Sequence, residues 1–245
     1  MSSTIVVSGT GTGVGKTVVT AAIAALALSA GDPVSVVKPV QTGLAAGEPT
    51  DLDEITRLAG IPDADRLELA RYRHPLSPEA AARVEGAPCL GLETAVDAVL
   101  ARSRSGSRVL VEGAGGLLVR YDPSGWTIAD LAAALRAPIL LVVHAALGTL
   151  NHTALSIEAL DRRGLGLAGV VIGSWPTAPD LACRTNIADL EALASGPLAG
   201  ALPAGAAALT RARFLRAAGA GLAPSLGGTF DAADFRRRYM VELEG

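Results

Sequence analysis

Two adjacent side chains, Lys16 and Thr17, close a run with glycine at every second position from Gly9 to Gly15. A lysine and a hydroxyl behind such a run suit the handling of a polyphosphate. Glycines let successive backbone N–H groups curl inward around anionic oxygens, and a helix starting at the lysine adds positive potential at the same point. Lys16 is then placed to reach β- and γ-phosphates, and the Thr17 hydroxyl to bind Mg²⁺. The flanks agree with this reading. Ile5 to Val7 is an apolar, β-branched run of the kind found in buried strands, and an apolar helix is expected from Lys16 to about Ala30. The usual spacing G-x-x-x-x-G-K-[ST] asks for glycine where this chain has Thr10, so the loop, counted from Gly9, is one residue longer.

Further polar residues stand where apolar runs end. Lys38 closes Val34 to Val37, Glu112 closes Val109 to Val111, and Asn151 and Ser174 follow two later runs. In an open parallel sheet, ligands sit beyond the carboxyl ends of the strands, so Lys16, Lys38, Glu112, Asn151 and Ser174 converge on one edge. Lys38 reads as a second cation for an anionic intermediate, or as a lysine snorkelling to the surface. Glu112, entering a glycine turn, sits where phosphate-loop proteins keep a magnesium-ordering acid. Asp51 is open to two readings, metal ligand or ordinary first-turn acid, and Asn151 equally reads as a helix cap.

The elements that must position these groups alternate along the chain. Strands are expected at 5–7, 34–38, 108–112, 138–144, 167–173 and 198–202, with Pro39 ending the second and loop chemistry from Pro39 to Pro49. Helices are expected at 51–59, capped by Thr50 with Asp53 at the box position, and in the alanine-rich stretch begun by Ser77-Pro78-Glu79. Others are expected at 92–102, 128–135, from about 152 to 163, at 181–194 and at 232–243. The stretch around Tyr72 reads as a Pro- and Arg-rich passage, and the Ala/Gly-rich stretch from Ala199 to Gly228 shows no order beyond its first strand. Short apolar strands alternating with helices imply an α/β fold: a P-loop NTPase-like, doubly wound, mostly parallel sheet flanked by helices, spanning residues 1–245 as one domain.

Composition narrows the class. Half of the 245 residues are hydrophobic, with only 3% aromatic, and the mean hydropathy is +0.39. Every long apolar run is broken by Gly, Pro or charge, and the N-terminus lacks a signal-peptide pattern, so a cytoplasmic protein with no membrane partner is expected. A net charge of −3 offers no footprint for nucleic acid. Cys89 and Cys183 have no metal-ligand spacing, and His74, His144 and His152 are scattered.

Four stretches in this order, Gly9-Thr-Gly-Thr-Gly-Val-Gly-Lys-Thr17, Lys38-Pro-Val-Gln-Thr-Gly43, Val111-Glu-Gly-Ala-Gly-Gly116 and Leu147-Gly-Thr-Leu-Asn-His152, together resemble the dethiobiotin synthetase family. The resemblance runs from Thr4 to about Pro203 and is greatest to actinobacterial members; the longer loop is that family's variant of the motif. It implies ATP- and Mg²⁺-dependent conversion of 7,8-diaminononanoate and CO₂ (or bicarbonate) to dethiobiotin, ADP and phosphate, through a carbamate and a carbamic-phosphoric anhydride. By resemblance, Lys16, Lys38 and Thr12 are catalytic. Gly13, Val14, Gly15, Lys16, Thr17, Glu112, Gly173, Ser174, Pro203 and Gly205 hold nucleotide. Thr42, Gly115, Gly116, Leu147, Gly148, Leu150 and Asn151 hold substrate. Thr17, Asp51 and Glu112 bind Mg²⁺, with Asp51 preferred over Asp53.

The family also implies a homodimer whose substrate site lies at the subunit interface. Better-known members place an asparagine beyond the fifth strand to read adenine. Ser174 stands there in this chain, so other nucleoside triphosphates are expected to be accepted, with Trp175 available to stack on any base. The alternative is the related ATP-dependent synthase domain of the cobyrinic-acid amidotransferase type, which needs a glutaminase domain that has no room after Pro203. A partition ATPase would carry a lysine where this chain has Gly11.

Overall fold

The computed structural model describes residues 4–45, 47–103 and 106–240. Its centre is a seven-stranded sheet of β1 (Thr4–Gly9), β2 (Val34–Thr42), β3 (Arg66–Tyr72), β4 (Arg108–Glu112), β5 (Ile139–Val143), β6 (Leu167–Trp175) and β7 (Gly200–Pro203). Their order is β3-β2-β4-β1-β5-β6-β7 and every pairing between them is parallel. Nearly unbroken Val/Ile/Leu runs make such strands, because both faces of a parallel sheet are covered.

Successive side chains go to opposite faces. Val7, Val36, Leu110, Leu140 and Val171 pack under α1 (Lys16–Ser29), α2 (Asp51–Ala59) and α8 (Arg211–Gly221). On the other face, Val6, Val37, Val109 and Val111 meet α3 (Pro78–Glu85), α4 (Leu92–Ser103) and α5 (Ile128–Leu135). Farther along that face, Leu141, Val143, Val170 and Ile172 meet α6 (Thr149–Asp161), α7 (Leu181–Leu193) and α9 (Ala232–Tyr239). Among the described residues, no helix is long and apolar enough to cross a membrane.

The doubly wound α/β expectation holds, with local corrections. Pro39 does not end β2, which runs on to Thr42. Its pairing with β4 stops at Val37, whereas pairing with β3 continues through Thr42, so the proline falls where only one side of the strand is laddered. The β3 strand lies inside the passage read as Pro- and Arg-rich. It is an edge strand in which Leu67 and Leu69 face the core while Arg66 and Glu68 alternate with them, and the charges hide its period. The Ala/Gly-rich passage contains α8, whose Phe214 and Ala218 join the core shared with α1 while Gly221 lies against β7. Tertiary packing there overrides the poor helix propensity of two glycines. For the last helix, expected over 232–243, α9 ends at Tyr239 and positions 241–243 lie outside the described residues.

Candidate active site

The loop between β1 and α1 is fitted against the end of β6. Gly15 takes a left-handed φ of 99°, and a Cβ on it would lie 2.9 Å from the Gly173 carbonyl oxygen. A Cβ on Gly173 would lie 2.0 Å from the Val14 carbonyl oxygen, so only glycine lets loop and strand approach this closely. Lys16 is buried and donates from Nζ to the Gly11 carbonyl at 2.8 Å, folding back over its own loop. Burial, and then the neighbouring Lys38 charge, lower its pKa to about 8.

Beside it lies a buried charge cluster. Lys38, at the middle of β2 and only 3% exposed, places Nζ 2.6 Å from Asp51 Oδ2 and 2.9 Å from Glu112 Oε1. It therefore does not snorkel. Burial opposes its charge, but the Glu112 and Asp51 carboxylates outweigh that and raise its pKa above the ordinary lysine value. Thr17 Oγ1 donates to the same Glu112 oxygen at 2.9 Å. The other one, Oε2, is buried without a partner.

The two aspartates of α2 separate cleanly. Asp53 closes the capping box with Thr50 and accepts from Arg66 Nη1 at 2.6 Å. Asp51 is thereby left for Lys38, and its backbone N–H donates to Gln41 Oε1 at 3.2 Å. Thr17, Asp51 and Glu112 offer hard oxygens, one of them an orphan. Among the described residues no group of three His, Cys, Asp or Glu side chains forms a cage. Two carboxylates and a hydroxyl fit Mg²⁺, which keeps waters and takes phosphate oxygens to complete its shell.

These groups line a cleft of about 830 Å³ together with Thr12, Gly13, Gly15, Lys16, Thr42 and Gly115. Gln41 and the Pro75–Pro78 segment also line it. Sequence reasoning missed both, since an amide side chain near the end of a strand and a proline-rich turn carry no chemical signature. Tyr121, also missed, is wholly buried, stacks on Trp126 and accepts the Ala114 N–H at 2.8 Å, steadying the turn after Glu112. Burial pushes its phenol up to about 12, so it stays neutral. The signal for it was two aromatics close together in a chain almost without them.

Other expected residues lie apart from the cleft. Gly116 borders a separate, mostly apolar hollow with Thr10, Leu118, His152 and Leu155. Leu147 is 88% exposed and Asn151 is exposed in the first turn of α6, whose N-cap is Gly148, so Asn151 is not the cap. Leu150 packs partly against the core beside α7. Ser174 is exposed next to Gly173, and Pro203 pairs in register with Trp175, whose carbonyl accepts the Ala204 N–H at 2.7 Å. Gly205 then turns the chain in a left-handed conformation. Trp175 is 5% exposed and packs edge-on against Phe235 and Tyr239, so it is not free to stack on a base.

Comparison with known proteins places this geometry. A family model described as an AAA domain matches residues 3–210. An "ATP-dependent dethiobiotin synthetase BioD" of Parafrankia sp. (strain EAN1pec) is 57% identical over 98% of this chain and 100% of its own. The protein of that name from Frankia casuarinae is 59% identical over 96% of this chain and 98% of its own. The one from Streptomyces avermitilis is 52% identical over 97% and 99%. Among solved structures, the MinD cell division protein of Aquifex aeolicus superposes with a TM-score of 0.50 at 15% identity, covering 82% of this chain and 81% of that one. That likeness concerns the fold alone.

The lowered pKa of Lys16 has a measurable consequence. A polyphosphate against its ammonium favours the charged form and raises the pKa in the complex. Affinity is therefore full below about pH 8 and declines as pH rises through the raised value. Calorimetry of ADP binding in buffers of different ionisation enthalpy is expected to show net proton uptake at about pH 8.5, where the ADP phosphates are already ionised, and an uptake that shrinks as the pH is lowered toward about 7.5. Absence of uptake at the higher pH counts against this electrostatic account.

Proposed function

The chain belongs to the ATP-dependent dethiobiotin synthetase family, and from that membership we propose that it carboxylates 7,8-diaminononanoate and closes the ureido ring of dethiobiotin. The observation that carries the reading is the pair of buried lysines, Lys16 and Lys38, at one cleft with the Asp51 and Glu112 carboxylates. One amine captures CO₂ as a carbamate. A carbamate oxygen attacks the γ-phosphorus of ATP, ADP leaves, and a carbamic-phosphoric anhydride results. The second amine then attacks the carbamoyl carbon, phosphate leaves, and the ring closes.

The phosphoryl step brings anion to anion, so it needs concentrated positive charge more than a strong base. Lys16 and Lys38 supply it, and Thr12 orients phosphate and carbamate at the loop. Thr17, Asp51 and Glu112 would hold Mg²⁺, which would supply further charge neutralisation in the phosphoryl step. Backbone amides of Gly13, Val14 and Gly15 cradle the polyphosphate, while Gly173, Ser174, Pro203 and Gly205 border the base. Thr42 and Gly115 meet the reacting end of the diamine, while Gly116, the next residue of that turn, faces the neighbouring hollow.

The substrate's far carboxylate needs a donor cluster, and the first turn of α6, from Leu147 and Gly148 to Leu150 and Asn151, offers one. In one protomer that turn does not line the cleft. Leu118, Leu147 and Leu155 are all exposed, which suits burial against a second copy. We therefore read the enzyme as a cytoplasmic homodimer in which each protomer's α6 completes its partner's site, with residues 1–245 acting as one domain.

The decisive assay is phosphate release dependent on both diaminononanoate and bicarbonate; release indifferent to the diamine would defeat the proposal. Within it, Lys16→Ala and Lys38→Ala are each expected to lose at least about a hundredfold in kcat while staying folded, by analogy with an oxyanion-hole donor. Near-normal turnover of the Lys38 variant would leave that lysine a structural counter-ion only.

If the site is shared, Asn151→Ala raises KM for the diamine more than KM for ATP, and light scattering finds a dimer. An active monomer would end the shared-site reading.

The Ser174 hydroxyl cannot present the fixed donor–acceptor pair of an asparagine amide to a base. A good bidentate base contact is worth roughly 1–3 kcal/mol of discrimination, and the phosphate loop ignores the base. GTP and CTP are accordingly expected to support turnover comparable to ATP. An ATP preference in kcat/KM above about a hundredfold would exceed what this contact can explain.

A further inference from the structure

Asn186 sits inside α7, where asparagine is a poor helix former, and it is 5% exposed. Burying a primary amide is costly unless its hydrogens find acceptors. Here Nδ2 donates to the Ala145 carbonyl at 2.8 Å and to the Ala146 carbonyl at 3.3 Å. Both carbonyls belong to the turn between β5 and α6, about forty positions earlier in the chain. The Thr149 N–H also donates to Ala146, at 3.2 Å, so that one carbonyl is held from α7 and from the first turn of α6 together.

Packing does little to hold the outer half of this turn. Leu147 projects into solvent, and the space where Gly148 would carry a Cβ is empty to 4 Å. The direction of the α6 N-terminal amides thus depends on a polar anchor two residues upstream of Gly148, at Ala146, and one further, at Ala145. We propose that Asn186 is a positioning residue for substrate: it aims the Leu147–Asn151 amides at the diamine's carboxylate without touching it. This rests on the reading of that turn as the carboxylate site.

The test compares Asn186→Leu, which keeps the branching of asparagine but is bulkier and has no donor, with Asn186→Thr, which is close in volume and keeps one donor. Asn151→Ala is run in parallel on the full-length enzyme. Asn186→Leu is expected to raise the diamine KM by about tenfold or more while the KM for ATP stays within about threefold, with Asn186→Thr intermediate. A structural role alone would lower the melting temperature without splitting the two KM values. If Asn186→Leu does not fold, the Thr variant carries the same split on a smaller scale. Unchanged diamine KM in a folded Asn186 variant, or equal increases for both substrates, overturns the inference. When that occurs with Asn151→Ala still raising the diamine KM, only the role of Asn186 falls. When Asn151→Ala has no effect either, the carboxylate reading falls with it.

Discussion

A buried ammonium between two carboxylates fixes the geometry of this protein's cleft. Val37 and Val111 are the last pair of the β2–β4 ladder, and Lys38 and Glu112 are the residues that follow them, where β4 ends and β2 continues beside β3 alone. Neither side chain has useful access to water. Each charge is tolerable only because the other is there, and removing one partner of a buried pair typically costs about 3–5 kcal/mol. The pair therefore ties the sheet's register to the chemistry of its edge. Thr17 hangs from the same Glu112 oxygen, which draws the start of α1 into the arrangement. Asp51 brings α2 in from the other side.

Two lysines in one cleft have opposite tendencies, and their partners explain it. Lys38 faces carboxylates and is held charged. Lys16 is also buried, meets a backbone carbonyl and feels Lys38 as a like charge, so it is held less firmly. An anion entering the cleft relieves the second lysine far more than the first. The protein thus keeps one cation satisfied by its own residues and one in want of a phosphate.

The parts of this design legible in the sequence were those with a strong local rule. Alternating glycines before Lys16-Thr17, apolar runs ending in Lys38 and Glu112, and Thr50 with Asp53 at the box spacing each follow from short-range chemistry. The capping box even settles which aspartate of α2 is occupied locally, once Arg66 is seen across from it. What the sequence concealed depended on distant partners. β3 alternates correctly, but its charges are edge-strand charges, and α8 is helical because α1 gives it a surface. Pro39 looked like a terminator because nothing local says that β4 has already ended. The Leu147–Asn151 turn was recognisable as a motif, yet its placement away from the cleft, and its anchoring by Asn186, are facts of topology.

Gly173 carries a consequence of a different sort. The tip of the phosphate loop and the last residues of β6 touch backbone to backbone, with no side chain between them to act as a cushion. Neither can advance toward the other, and a shift of one is handed directly to its neighbour. The height of the glycine-rich loop above the sheet and the reach of β6 beside it are therefore not two adjustable lengths but one. In that sense the sheet works as a ruler, with its zero mark at a residue that has no side chain.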